Sequence, residues 1–348
     1  MSFWQQLSQP ILGLAPMDGV TDSVFRRVVA EKGKPDVIFT EFTNVGDICR
    51  GRGAGLDSLR YSEMERPIVA QLYGKDPALF FQAAQVVGAL GFDGLDINMG
   101  CPSKNVASSG SGAALIRTPE LALQIIEAAR RGLEAWANGQ NLGESGIRPA
   151  VIETIHTANR RRGISTESVP RRVIPLSVKT RLGYDTDIIE EWSDCLIQGR
   201  PELISIHGRT LSQMYRGQSN WESIALASAR IRAQGILVLG NGDIASLEDA
   251  SQRIRRAGVN GVLIGRAALG NPWLFQNMVG LRETFHMGGV DEIPPSPISL
   301  EDRFQMMVEH AGLFESVHGV EKFPRMRKHL GWYCSSFPHA ASLRAKMV

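Results

Sequence analysis

Gly94-Leu95-Asp96-Ile97-Asn98-Met99-Gly100-Cys101-Pro102-Ser103-Lys104 is the stretch that decides the fold. Leu95 and Ile97 alternate with polar neighbours, the period of a strand. Gly100 and Pro102 then forbid its continuation. Cys101 is left on the loop just past the strand's C-terminal end, where parallel α/β architectures place their chemistry. Ser108-Ser109-Gly110-Ser111-Gly112 follows as a polar, flexible loop able to fold over a ligand.

Working outward, similar apolar runs occur at Ile11–Ala15, Val37–Glu41 and Ile68–Leu72 before this strand, and at Pro175–Thr180, Leu203–His207, Ile236–Gly240 and Gly261–Gly265 after it. Helical spacing fills Asp22–Glu31, Pro77–Leu90, Pro119–Ala137, Ile188–Gln198, Trp221–Ala233, Ser246–Arg256 and Pro272–Arg282. Thr118-Pro119, Asp76-Pro77 and Asn271-Pro272 read as helix starts, a cap followed by proline in the first turn. Eight strands with helical segments after most of them predict an α/β fold, a (β/α)8 TIM barrel. An open doubly wound sheet is the alternative, weakened because no GxGxxG follows the first strand.

Two stretches exceed a minimal barrel. Residues 138–172, rich in Gly, Arg and Ser, are longer than a normal helix-to-strand connection and form an excursion, partly helical or mobile. Asp291–Pro297 is a proline-rich linker, and Leu300–His318 and Phe323–Tyr333 beyond it have helical spacing. The expected division is a catalytic barrel over residues 1–288 and a small all-helical C-terminal domain over residues 289–348.

The chain has 348 residues, 43% apolar and 21% charged, ordinary values for a globular protein. No run is apolar for the ~20 residues of a membrane span. The first residues lack the blocks of a signal peptide, so the cytoplasm is the expected location and no membrane the expected partner. Cys49, Cys101, Cys195 and Cys334 are widely spaced, which suggests neither a disulfide framework nor a metal site. Cys195 and Cys334 read as small buried hydrophobes. The net charge of +2 announces nothing. Its clusters do: Arg160–Arg162 with Arg171 and Arg172, and Lys322, Arg325, Arg327, Lys328, Arg344 and Lys346. Each is a solvated face or a phosphate-backbone footprint.

In a barrel all eight strand ends converge on one mouth. There stand Pro16, Met17 and Asp18 of Ala15–Gly19, Gln71, Asn98 with Cys101, Lys179 with Arg181, His207-Gly208-Arg209-Thr210, Asn241-Gly242-Asp243 and Gly265-Arg266. Polar strand ends commonly just meet water. Here almost every strand has one, many of them cationic. The last two loops carry glycines and lead into helices, the arrangement that binds phosphate in such barrels. Arg266 adds charge there. The set suggests a phosphate-bearing planar cofactor, with Lys179 and His207 beside it. A Schiff-base role for Lys179 is the rival use, and it leaves Cys101 unexplained.

Ala15–Asp22 (APMDGVTD), Asp96–Lys104 (DINMGCPSK), Lys179–Gly183 (KTRLG), His207–Thr210 (HGRT), Asn241–Asp243 (NGD), Ile264–Ala268 (IGRAA) and Arg327–Tyr333 (RKHLGWY) together resemble the bacterial tRNA-dihydrouridine synthases. The motifs run in family order from Ala15 to about Phe275 and continue into the C-terminal helices. The resemblance implies an FMN-bound barrel that reduces the C5–C6 double bond of particular tRNA uridines, with NADPH as reductant. It implies Cys101 as proton donor and Asn98 and Arg181 as uridine contacts. It also implies Pro16, Met17, Asp18, Gln71, Lys179, His207, Asn241, Gly242, Asp243, Gly265 and Arg266 around the flavin. The C-terminal helices would grip tRNA, and a monomer is expected. The family's helical domain usually runs further, so a shortened one is expected here. The 138–172 excursion is not expected in the family, and Arg160–Arg162 in it would extend the tRNA surface or be passive. Two rivals are an FMN barrel reducing a free pyrimidine and an RNA-binding barrel without catalysis. Neither accounts for both the basic C-terminal helices and an intact Cys101, Lys179 and Gly265-Arg266.

Overall fold

A computed structural model describes residues 2–51, 54–287 and 298–347. The expected domain boundary at 288–289 and the linker Asp291–Pro297 lie outside the described residues. Each apolar run forms a strand: β1 Ile11–Leu14, β2 Val37–Phe39, β3 Ile68–Tyr73, β4 Gly94–Met99, β5 Leu176–Arg181, β6 Leu203–His207, β7 Leu237–Asn241 and β8 Gly261–Ile264. All neighbours pair in parallel, and β8 returns to β1, so the sheet closes. This is the TIM barrel, and the open sheet is excluded. A two-residue strand, Thr43–Asn44, lies beside β3.

Period 2 along each strand divides its residues between two environments. Leu95, Ile97, Val178, Ile204 and Ile206 face outward and are buried under the helices. Ile11, Val37, Phe39, Val69, Leu203, Leu239 and Leu263 fill the lower interior around Trp4, whose short helix Phe3–Gln6 plugs the floor. One pleat higher the same face turns polar. Gln71 stands opposite Asp96, Asp96 opposite Ser177, Asn98 opposite Lys179, and Arg181 and Asn241 on either side of His207. The interior is thus apolar at the N-terminal rim and polar at the C-terminal rim, which directs ligands to one end.

Asp22 and Asp76 cap the helices Ser23–Lys32 and Pro77–Ala89 through their carboxylates. Thr118 precedes Pro119–Ala137 without a capping bond. The expected helix Pro272–Arg282 is displaced: residues 271–277 are turns, and the helix is Met278–Met287. The turns are wedged into place. A Cβ on Gly33 would lie 2.4 Å from the Pro272 carbonyl, and one on Gly270 2.3 Å from that of Trp332. The Ser108–Gly112 loop is a folded turn under Cys101. Ser111 is buried, and a Cβ on Gly112 would lie 3.2 Å from Cys101 Cβ.

The excursion carries the helix Pro149–Arg161. Helix-to-strand connections lie at the N-terminal rim, opposite the mouth, and the contacts agree. Asn159 Nδ2 donates to the Ala89 carbonyl at 2.9 Å. The Arg162 side chain is 8% exposed, bonds Glu63 at 2.9 Å and stacks on Tyr61. Arg160 pairs with Glu153, Arg171 covers Trp136 and Arg172 faces Asp93. Of the three arginines read as extra tRNA surface or as passive, Arg162 is taken up by the barrel. Arg162, Arg171 and Arg172 tie the insertion to the barrel's far end, while Arg160 pairs within its own helix and Arg161 is exposed.

Beyond the linker come Leu300–His318, a 3-10 stretch Val320–Met326, Arg327–Tyr333 and Ala340–Met347. They pack on the barrel helix Ser23–Lys32 through Val24, Val28, Met306, Met307, Phe314, Met326 and Tyr333. Phe25 lies against His310 and His329, which also touch each other, and His310 Nδ1 meets the Tyr333 hydroxyl at 3.1 Å. Burial pushes His310 down to about 4 and, with His310 and Lys328 beside it, His329 to about 2. An unfolded chain protonates histidine near 6.5, so it takes up the proton first. Stability present above that pH is lost as pH falls toward 4. His310→Leu is expected to flatten this limb of the melting temperature against pH. An equally steep limb in the variant would refute the assignment.

Candidate active site

β4 delivers Asp96 and Asn98 to one interior face, and the loop after it carries Cys101. Ser177 Oγ donates to Asp96 Oδ1 at 2.6 Å. Gln71 Nε2 donates to Asp96 Oδ2 at 2.7 Å, and Asn98 Nδ2 donates to Gln71 Oε1 at 2.9 Å. Asn98 Oδ1 then accepts the backbone N–H of Gly100 at 3.0 Å and of Cys101 at 2.8 Å. Gln71 has no exposed surface, so it sits one layer below the mouth. Cys101 is 5% exposed. Burial pushes its thiol up, the Asp18 charge adds to that, and Arg181 and Lys179 oppose it.

Lys179 Nζ donates to Asn241 Oδ1 at 3.0 Å. Burial and then Arg181 bring Lys179 down to about 8. Arg181 spends Nε on the Gly100 carbonyl at 2.6 Å and Nη1 on Thr210 at 3.0 Å. Among the described residues no carboxylate pairs with it, and burial lowers it to about 10. It braces the Cys101 loop from the other side. His207 is held far below its usual range by burial and by Lys179, Arg181, Arg209 and Arg266. It is a neutral imidazole, its Nε2 at 3.5 Å from Arg209 Nη1.

The late loops are organised by Asp243. Its Oδ2 accepts from Arg209 Nη2 at 2.6 Å and from the Ser219 N–H at 2.8 Å, and its Oδ1 accepts from Arg266 at 2.6 Å. A carboxylate so engaged holds two guanidinium groups in place and is not itself an anion ligand. Gly242, at φ +128°, approaches Ser219 so closely that a Cβ would lie 2.2 Å from its Oγ. Gly265 lies against Met17, whose Sδ would stand 3.2 Å from a Cβ there. Pro16 is half-buried beside it and Asp18 is exposed.

Arg209 and Ser219 were not among the residues assigned from the sequence. His-Gly-Arg-Thr carried the signal for Arg209, and nothing local marks Ser219. Both point to a ligand: Arg209 Nε and Ser219 Oγ are buried with no hydrogen-bond partner, a costly state for polar atoms. Beside the late loops Lys179, Arg181, Arg209 and Arg266 face two carboxylates, Asp96 and Asp243, with Asp18 across the mouth. Orphaned donors, glycine-lined approach and excess positive charge fit a phosphate-bearing cofactor. Among the described residues no group of three or more His, Cys, Asp or Glu can hold a metal ion, and no helix is long and apolar enough to cross a membrane.

The family model for dihydrouridine synthase (Dus) matches residues 13–135 and 164–348. The chain belongs to the dihydrouridine synthase family. It is therefore an oxidoreductase, and the unmatched residues 136–163 coincide with most of the insertion. A probable tRNA-dihydrouridine synthase 2 of Bacillus subtilis (strain 168) is 36% identical over 79% of this chain and 74% of its own length. A probable tRNA-dihydrouridine synthase of Staphylococcus aureus (strain MRSA252) is 31% identical over 100% of this chain and 91% of its own. Among solved structures, TcOYE with pHBA is similar at TM-score 0.47 and 11% identity over 86% of this chain and 93% of that one.

Proposed function

We propose that this member of the family reduces the C5–C6 double bond of uridines in tRNA, with FMN held across the barrel mouth and NADPH as the electron source. The observation that carries the reading is the pairing, at one rim, of a buried thiol, which burial pushes up, with an anion site whose buried donors lack partners. Arg209, Arg266, Ser219 and the Gly242 turn would hold the phosphate. Met17, Lys179, His207 and Asn241 would line the ring system. Bound FMN supplies the hydride that uracil accepts at C6.

The chain's own task is the proton. As C6 gains a hydride, charge builds at C5, and the Cys101 thiol transfers its proton there. A donor must be protonated at working pH, so a raised thiol pKa serves this role, the reverse of what a nucleophile needs. Lys179 and Arg181, both close enough to act on Cys101, favour the thiolate left behind. Asn98 fixes the loop with its carbonyl and keeps one N–H for the uracil edge. Arg181 acts on the same loop through the Gly100 carbonyl.

The target base must leave its stack to reach the mouth, which costs a few kcal/mol and least in a loop. Lys322, Arg325, Arg327 and Lys346 are exposed on the C-terminal helices and supply backbone grip. Lys328 is spent on the Gly19 carbonyl, and Arg344 bonds Cys334 O. The test uses the purified protein. It should release FMN on denaturation, and with NADPH it should form dihydrouridine in tRNA taken from cells lacking it. Absence of dihydrouridine, or turnover of free uridine as fast as of tRNA, would overturn the reading.

A further inference from the structure

The buried Asp96 has no part in the chemistry just described. It is 0% exposed, and a charge in a barrel interior is expensive unless it is hydrogen-bonded, as this one is by Ser177 and Gln71. Burial pushes its carboxyl up to about 6, against the pull of Ser177 and Gln71, so at neutral pH and above it is mainly the acceptor form. We propose that Asp96 is a positioning residue whose carboxylate, acting through the amides of Gln71 and Asn98, sets the direction in which the Asn98 carbonyl points and so fixes the loop that holds Cys101. This rests on reading Cys101 as the proton donor.

The argument is one of polarity. A side-chain amide has the same shape either way round, and its donor and acceptor ends exchange on a flip. Two amides in series can therefore run in either direction unless both ends of the chain are fixed. Here the lower end is a carboxylate, which only accepts. The upper end is two backbone N–H groups, which only donate. Gln71 must present its NH2 to Asp96, so its oxygen faces Asn98. Asn98 must present its NH2 to Gln71, so its oxygen faces Gly100 and Cys101. With Asp96 removed, Gln71 Nε2 is a buried donor without an acceptor. Flipping Gln71 and Asn98 together would place an NH2 against two N–H groups, and the loop would be released.

The test compares Asp96→Leu with Asp96→Asn in the flavin-loaded protein. The rate of Cys101 alkylation by iodoacetamide is followed by peptide mapping, beside dihydrouridine formation in tRNA. In Asp96→Leu the alkylation is expected to rise by about tenfold or more, the equivalent of one buried donor left unmet, and the rate on tRNA to fall. Asparagine at 96 can still offer its oxygen to Gln71 while turning its NH2 to Ser177, whose hydroxyl already lies 3.4 Å from the Leu95 carbonyl. Asp96→Asn should therefore restore most of both properties. A folded Asp96→Leu protein with unchanged alkylation would overturn the proposal, and so would an Asn variant as reactive as the Leu one. If Asp96→Leu does not fold, Gln71→Met cuts the chain one link higher and carries the same expectation and the same refutation. If Cys101→Ala stayed active, the donor assignment would fall, and the alkylation rates would still decide the relay.

Discussion

Replacing Cys101 with alanine is expected to lower dihydrouridine formation in tRNA by about 10²–10⁴-fold, the usual worth of a positioned general acid, with bound flavin retained. The two properties separate because the partnerless donors of the cofactor site, Arg209 Nε and Ser219 Oγ, sit on the loops after β6, whereas Cys101 follows β4. The pH profile checks the role. A donor is active in its protonated form, and burial holds this thiol above its ordinary value. The Cys101 limb should be flat through neutrality and fall only above the usual thiol range of about 8.5. Lys179, brought down to about 8, adds a separate loss on the same side. The residual activity of Cys101→Ala should keep the Lys179 limb and lose the later one. Full activity in the variant, or a wild-type profile already falling below neutrality, would sink the donor assignment.

The barrel was legible because its strands are short apolar runs with a polar end, and the closed sheet uses every one of them. The gathering of candidate residues was legible where they stand on the strand ends themselves, as with Asn98, Lys179, His207 and Asn241, which the register brings to one rim. It was less so where an interior layer mediates. Gln71 reads as a flavin contact from its strand end and the family resemblance. Only the register shows that Asp96 and Asn98 consume its amide. Asp243 reads as part of a phosphate loop, and only the distances show it holding Arg209 and Arg266 instead. Ser219 had no local signal, because its importance is its closeness to Gly242, far away in sequence. The displaced helix at 271–287 failed for a similar reason. Asn271-Pro272 is a sound helix start, and packing against Gly33 and Trp332 turns it into a wedge. The arginine cluster of the insertion stayed open in the sequence because charge pattern does not say which rim of the barrel it occupies.

Glu65→Ala is expected to destabilise the protein by about 3–5 kcal/mol, the cost of stranding a buried cation, read as a lower denaturant midpoint. Arg26 and Glu65 are 0% and 1% exposed and pair at 2.7 Å. Arg26 also donates to the Thr21 carbonyl at 2.7 Å and to that of Arg60. Thr21 in turn accepts the Met17 N–H at 2.9 Å and donates to its carbonyl at 3.1 Å. The loop bearing Pro16 and Met17 is thus built on an ion pair that nothing in Ala15–Asp22 announces. The double variant Arg26→Met with Glu65→Ala removes both charges, so it should recover part of the stability lost by Glu65→Ala alone, since uncharged replacements of buried pairs are often neutral. It cannot recover the bond to Thr21. Its flavin affinity should stay below that of the unaltered protein even as its midpoint rises. If stability and flavin affinity recovered together, the pair would serve the core alone. If the midpoint rose while the flavin stayed weak, Arg26 would be the residue through which the barrel wall holds its first active-site loop.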